Sequence, residues 1–336
     1  MRAVVRRGTA LVCEDMADPV PGEGQALVKP LACGICGSDL HVLHTGSAAA
    51  FIFGHEYCAE VVDSKRFRPG TRVVAMPFTP GPRGTELIGY STVFPGGFAE
   101  RMLLTEELML EVPNGLEADI AALTEPLAVG AHGVARAQLD KDSVALIIGM
   151  GPVGAAVLAN LKAQGFGPVI VADFSAARRA RAAQMGADIV IDPGQEDPHA
   201  RWADFGMGGR HDPMAEALGR HAKKRAVIFE CVGNPGMLQS IITGAPFGAE
   251  ILLLGVCLQP DTIVPALAVN KQISIKTAIF YTAEEFARSL HNLAEGVIDG
   301  RGLITGHVGL SGVADAFARL AKPDDHMKIM VEPWRD

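Results

Sequence analysis

The sequence predicts an α/β chain in which a doubly wound parallel sheet follows a β-rich region and precedes a short return segment. Three observations carry this. Apolar runs at residues 144–148, 169–172, 189–191, 226–229 and 251–254 alternate with helical stretches, as buried parallel strands alternate with crossover helices. A glycine-rich turn at residues 149–154 follows the first run and opens a helical stretch over 153–164. Roughly the first 120 residues instead read as short strands cut by Gly and Pro, with extended candidates at 26–29, 57–62 and 71–76, a spacing typical of a barrel or sandwich.

The chain has 336 residues, more than one ordinary core accommodates, and suits two domains. The expected division is 1–127 for the β-rich domain, 128–267 for the parallel sheet and 268–336 for a return to the first domain. After Pro265 come one or two more strands and helices over 283–295 and 312–321. The stretch 194–225 fits neither pattern. Hydrophobic residues make up 49% and charged residues 20%, enough apolar content for large cores. A net charge of −8 without a block of like charges argues against nucleic acid or an anionic membrane as partner. Six cysteines scattered over so long a chain do not suggest a disulfide framework. Residues 1–7 lack an apolar signal core, and the cytoplasm is the expected compartment.

Gly149, Gly151 and Gly154, with Pro152 and Val153 between them, form a G-x-G-x-x-G. Alone this is a weak signal. Here a buried strand precedes it, a helix follows, and Asp173 lies 19 residues beyond Gly154. The first glycine turns the chain, the second admits a pyrophosphate and the third lets helix pack on strand. Asp173 suits ribose hydroxyls and repels a 2′-phosphate. Arg178 and Arg179 could accept that phosphate, so NAD is expected ahead of NADP.

Soft and hard donors occur together at Cys33, Cys36 and His41, at His55 and Glu56, and at Glu125. Thiolate, imidazole and carboxylate in combination fit zinc, and a catalytic zinc keeps one position open. Cys33 and Cys36 could instead form a redox pair, but no thioredoxin-like helix pattern follows them. Cys33 reads as a buried small residue, His132 as a satisfied interior histidine, and Cys13, Cys58, Cys231 and Cys257 as inert core thiols.

These pieces resemble the zinc-containing medium-chain dehydrogenases, closest to the sorbitol and threonine dehydrogenase branch. The matching segments are Cys33-Gly34-Ile35-Cys36-Gly37-Ser38-Asp39-Leu40-His41, Gly54-His55-Glu56, Gly96-Gly97-Phe98-Ala99-Glu100, Glu125-Pro126-Leu127-Ala128-Val129 and the dinucleotide turn. They keep the family's order and span nearly the whole chain. The resemblance implies a Rossmann domain beside a chaperonin-10-like barrel. It also implies zinc on Cys36 and His55, with either Glu56 or Glu125 as a further ligand and the other acting through the metal's water. Ser38 and His41 would relay a proton, Asp39 would orient His55, and Lys328 would touch the cofactor phosphates. The family's four-cysteine lobe should fall between Met76 and Gly97, where no cysteine occurs, so one zinc per chain is expected. Ala59 stands where the family usually has glycine.

The resulting expectation is a homodimeric or homotetrameric enzyme. Zinc polarises the oxygen of a small alcohol or polyol, and hydride passes to or from NAD in a cleft closed by domain motion. Rival readings are a zinc-free quinone or enone reductase on the same fold, which would have no use for the donor set, and a non-catalytic nucleotide-binding protein. Residues 79–90 and Phe280 are expected to shape the substrate site.

Overall fold

The computed structural model describes the chain apart from residues 46–48, 83, 208–213, 215–216, 219–223 and 323–325. It separates into two compact units, Met1–Pro126 with Thr282–Asp336, and Leu127–Tyr281.

The first unit is built on a largely antiparallel sheet. Its strands run in the order Met109–Glu111, Arg72–Ala75, Glu56–Asp63, Gln25–Gly34, Lys328–Val331 and Ile304–Val308, while Met102–Thr105 pairs with the first half of Gln25–Gly34. Gln25–Gly34 alternates buried and partly exposed positions, the two-residue period of a strand with one face on a core. That core includes Val28, Phe53, Val73, Phe98, Met102, Leu104 and Ile329. A smaller sheet joins Ala10–Asp15, Arg2–Arg7 and Phe51–Ile52. Where the cysteine lobe was sought, Phe78–Gly81 and Gly84–Leu87 form a hairpin.

The second unit holds a six-stranded parallel sheet. Its order is Ile189–Ile191, Val169–Ala172, Ser143–Ile148, Arg225–Glu230, Glu250–Leu253 and Ser274–Thr277. Every residue of Ser143–Ile148 is buried, as expected of a central strand covered on both faces. The expected return at residue 268 comes later, at Thr282. Ser274–Thr277 pairs with Glu250–Leu253 as a sixth strand, so these residues stay with the parallel sheet. Within 194–225, 3₁₀ turns span Pro198–Phe205 and bury Trp202; much of the rest lies outside the described residues.

All six cysteines are free. Cys58 is a core thiol, pushed up to about 12 by burial, and burial also raises Cys231. Cys13 and Cys257 are exposed, which corrects the expectation of core positions. Cys13 lies on an outer strand of the three-stranded sheet, and Cys257 in the segment after Glu250–Leu253.

Helix Thr124–Arg136 lies against helix Pro152–Ala163 through Gly130, where an added Cβ would come within 2.5 Å of the Ala156 carbonyl carbon. Asn160 Nδ2 fixes the same crossing by donating to Leu127 O at 3.0 Å. Gly130→Ala should therefore destabilise the protein by about 1–3 kcal/mol through overpacking. Urea unfolding followed by far-UV circular dichroism measures this, and an unchanged midpoint would mean that the helices separate freely.

Candidate metal centre and dinucleotide turn

Strand Gln25–Gly34 leads through Ile35 to Cys36, the N-cap of helix Gly37–Leu43. Asp39 Oδ2 accepts from Cys36 N at 3.0 Å, closing the first turn and holding the thiol at the helix entrance. Just before the neighbouring strand Glu56–Asp63, Gly54 bends at φ 105° ahead of His55. A Cβ there would lie 2.8 Å from Cys33 Sγ and from Gly97 N, and Gly97 N donates to Gly54 O at 2.8 Å. The glycines of Gly54-His55-Glu56 and Gly96-Gly97 thus let two backbones meet over Cys33. Cys33 is a packing residue, fully buried.

This brings Cys36, His55 and Glu56 together, with one donor atom from each within 4.8 Å of the others. His55 and Glu56 are buried and Cys36 is half-buried. His55 Nδ1 faces Asp39 Oδ1 at 3.5 Å, beyond good hydrogen-bond length. Burial opposes charge on His55, but Asp39, the Cys36 thiol and Glu125 outweigh it and raise the imidazole well above its usual range. The pocket therefore favours positive charge at its centre.

Glu125 stands in the first turn of helix Thr124–Arg136. It is not one of the three clustered donors, although its charge is felt at His55, Lys328 and Tyr57. Of the two carboxylates offered as ligand, the geometry clusters Glu56.

Lys328 departs from its expected role at the cofactor phosphates. It is 1% exposed, and its Nζ donates to Glu56 Oε1 at 2.6 Å, Glu56 Oε2 at 2.5 Å and Ile35 O at 3.1 Å. Three acceptors use the three protons of an ammonium, leaving none for a phosphate. Burial works against its charge, yet Glu56 and then Cys36 prevail and its pKa is raised. Gly34 makes the pair possible: it sits between Glu56 and Met330 in register, and a Cβ there would overlap Glu56 Oε2.

Ser38 is half-buried, and its hydroxyl lies 3.1 Å from Cys36 Sγ and 2.7 Å from the Tyr90 hydroxyl. These contacts run towards Tyr90, whereas His41 lies exposed in the helix's last turn. Tyr90 also donates to Asp39 Oδ1 at 2.9 Å, and its ring lies 5.3 Å from that of His55. Burial and the nearby Asp39 and Cys36 raise its phenol, keeping it protonated. Sequence reasoning placed Tyr90 only within a substrate loop, since a lone tyrosine 52 positions from Ser38 belongs to no motif.

In the second unit, Gly149 takes φ 90°, and a Cβ on Gly154 would overlap Gly149 O. Gly151 caps helix Pro152–Ala163, with Pro152 at its first position and Val153 in its first turn. A Cβ on Gly151 would meet only Arg178 Nη1, at 3.7 Å, so the helix N-terminus stays open. Asp173 accepts from Met150 N at 2.7 Å and Ser175 N at 2.8 Å, and Arg178 Nη1 lies 3.9 Å from its Oδ2. Arg179 is engaged elsewhere, with Asp173 O, Phe174 O and Asp192. Arg178 is the arginine at the turn.

A β-rich unit carrying a thiol–imidazole–carboxylate cluster, and a doubly wound unit carrying a glycine-rich strand-to-helix turn, together fit the class of zinc-binding dehydrogenases. Residues 22–114 match the family model described as alcohol dehydrogenase GroES-like domain, and residues 152–295 match that described as zinc-binding dehydrogenase. Sorbitol dehydrogenase of Bacillus subtilis (strain 168) is 30% identical, over 100% of this chain and 98% of its own. (R,R)-butanediol dehydrogenase of the same strain is 29% identical, over 95% and 96%. The crystal structure of 2R,3R-butanediol dehydrogenase from Bacillus subtilis superposes with a TM-score of 0.83 at 27% identity, covering 99% of each chain. The chain belongs to the zinc-binding medium-chain alcohol dehydrogenase family, and is an oxidoreductase of that type.

Removing the ammonium from the buried pair would strand a carboxylate. In chelator-treated protein, Lys328→Met should lower stability by about 3–5 kcal/mol, and Lys328→Met with Glu56→Gln should recover most of it. Urea denaturation of the two variants provides the measurement; equal losses in both would show that packing, not charge, holds this corner.

Proposed function

We propose that the chain catalyses reversible oxidation of a small alcohol or polyol, using zinc held by Cys36, His55 and Glu56 and NAD in preference to NADP. The clustering of those three donor atoms within 4.8 Å carries the reading. Three protein donors of soft and hard character match a catalytic zinc, which leaves a position for substrate. The two relatives above are named for sorbitol and butanediol, and both names point to alcohols with adjacent hydroxyls. When bound, zinc supplies Lewis acidity towards the alcohol oxygen and NAD supplies the hydride acceptor.

The chain's own residues do the rest. Asp39 Oδ1 faces His55 Nδ1 at 3.5 Å and acts on the ring by charge and not through a hydrogen bond. Ser38 offers a hydroxyl beside the Cys36 thiol through which the alcohol proton can leave. Glu125 adds negative charge that favours a cation at the donor cluster. In the second unit, Gly151 and the helix N-terminus bind pyrophosphate, and Asp173 binds the ribose hydroxyls. The reading also takes in a homodimer. Among the described residues edge strand Ser274–Thr277 pairs on one side only, and Ile275, Ile279 and Phe280 on and after it are exposed, a surface that pairing with a second copy would cover. No helix among the described residues is long and apolar enough to cross a membrane, and the free thiols suit the cytoplasm.

NAD reduction against a panel of alcohols, diols and polyols, with metal analysis of the same sample, tests the reading. About one zinc per chain and turnover of a vicinal diol are expected. Cys36→Ser should lose most of the metal, and full retention would remove Cys36 from the ligand set.

The wild type should prefer NAD over NADP by at least about tenfold in kcat/KM, roughly 1.4 kcal/mol, and Asp173→Ala should narrow the gap. Equal use of both cofactors by wild type would assign the decisive role to Arg178.

A further inference from the structure

Resting on the zinc reading above, we infer that Tyr90 is a positioning residue of the metal centre, its hydroxyl fixing Ser38 and Asp39 and its ring bracing His55. The hydroxyl lies 2.7 Å from Ser38 Oγ and 2.9 Å from Asp39 Oδ1. Those residues occupy the first turn of the helix that Cys36 caps. Ser38 in turn reaches Cys36 Sγ at 3.1 Å, and Asp39 holds Cys36 N and faces His55. One phenol therefore connects the surroundings of two of the three metal donors.

Tyr90 is itself held firmly. Phe51, Phe53 and His55 surround its ring at centroid distances of 6.2, 6.0 and 5.3 Å. Gly89, at φ 93°, lays its backbone against Gly54, where an added Cβ would come within 3.3 Å of Gly54 N, C and O. The loop bearing Tyr90 thus docks on the bend that presents His55, and the aromatic packing survives if only the hydroxyl is removed.

Hydrogen-bond chemistry adds a constraint. Asp39, as a carboxylate, only accepts, so Tyr90 spends its single proton there. Ser38 then has one proton for two neighbours, the Tyr90 oxygen and the Cys36 thiolate. Without the Tyr90 hydroxyl, Ser38 loses the partner that fixes its rotamer beside Cys36, and Asp39 loses a donor that fixes the face it turns to His55. Groups behind metal ligands typically alter metal affinity or activity by about ten- to a hundredfold.

The test compares purified zinc-loaded wild type, Tyr90→Phe and Ser38→Ala, each with and without the other change. Zinc stripping by 1,10-phenanthroline, the thiolate-to-cobalt absorption of the cobalt(II)-substituted protein, and kcat with KM for NAD are the readouts. Tyr90→Phe should strip about tenfold faster, shift the cobalt–thiolate band and lower kcat about tenfold, with KM for NAD unchanged. Its effect should shrink in the Ser38→Ala background. Should Tyr90→Phe fail to fold, Ser38→Ala alone must show the faster stripping and the shifted band. Wild-type behaviour in the folded Tyr90→Phe protein, or full additivity with Ser38→Ala, overturns the assignment and leaves the zinc reading intact. Wild type that binds no zinc overturns the zinc reading itself, and the assignment with it.

Discussion

The first unit depends on a charge pair that meets across a strand. Glu56 and Lys328 lie on strands flanking Gln25–Gly34, and the bare Gly34 between them lets carboxylate and ammonium touch. An ion pair this deeply buried contributes little net energy if its desolvation is counted, but breaking it leaves an uncompensated charge. It therefore acts as a specifier of register. A one-residue slip of either flanking strand would turn its charged side chain to the other face of the sheet. The same pair orders one of the three clustered donors, because Glu56 belongs to both the ammonium and the cluster.

The two candidate sites are built by different physics. The donor cluster uses side chains whose positions follow from hydrogen bonds and charge: Asp39 closes the turn under Cys36, Lys328 clasps Glu56, and Asp39 and Glu125 favour positive charge at His55. The dinucleotide turn uses backbone, and its specificity lies in what is missing, since Gly149, Gly151 and Gly154 supply a left-handed bend, an open helix end and room for a carbonyl. Small errors are tolerated differently in each. A misplaced donor changes chemistry, while a misplaced methyl at the turn excludes the ligand or the helix.

Much of this was legible from residue types, their spacing and the family resemblance that they carry, because the residues concerned sit in local motifs. Cys36, His55 and Glu56 fall in two short runs, and Gly149 to Gly154 with Asp173 follow a strand–turn–helix order that apolar patterning reveals. The contacts that span long stretches were not legible. Lys328 meets Glu56 across 272 positions, and a lone basic residue near a strand offers no sign that its partner is a carboxylate and not a phosphate. A strand after Pro265 was expected, but Ser274–Thr277 was placed in the return segment and not in the parallel sheet, because an edge strand carries no continuous apolar run, its residues being largely exposed. Glu56 and Glu125 were indistinguishable as ligands because spacing along the chain does not report which carboxylate folds back onto Cys36.

The separation of Glu56 from Lys328 also bears on how the protein is made. A ribosome delivers Cys36, His55 and Glu56 early, then all of Leu127–Tyr281, and only afterwards the strand Lys328–Val331. Domains fold during synthesis in roughly the order they emerge, so Leu127–Tyr281 can be complete while the first unit still lacks strand Lys328–Val331 and the counter-charge of Glu56. During that interval Glu56 has no ammonium beside it, so the last strand to emerge both completes the sheet and neutralises a carboxylate already in place.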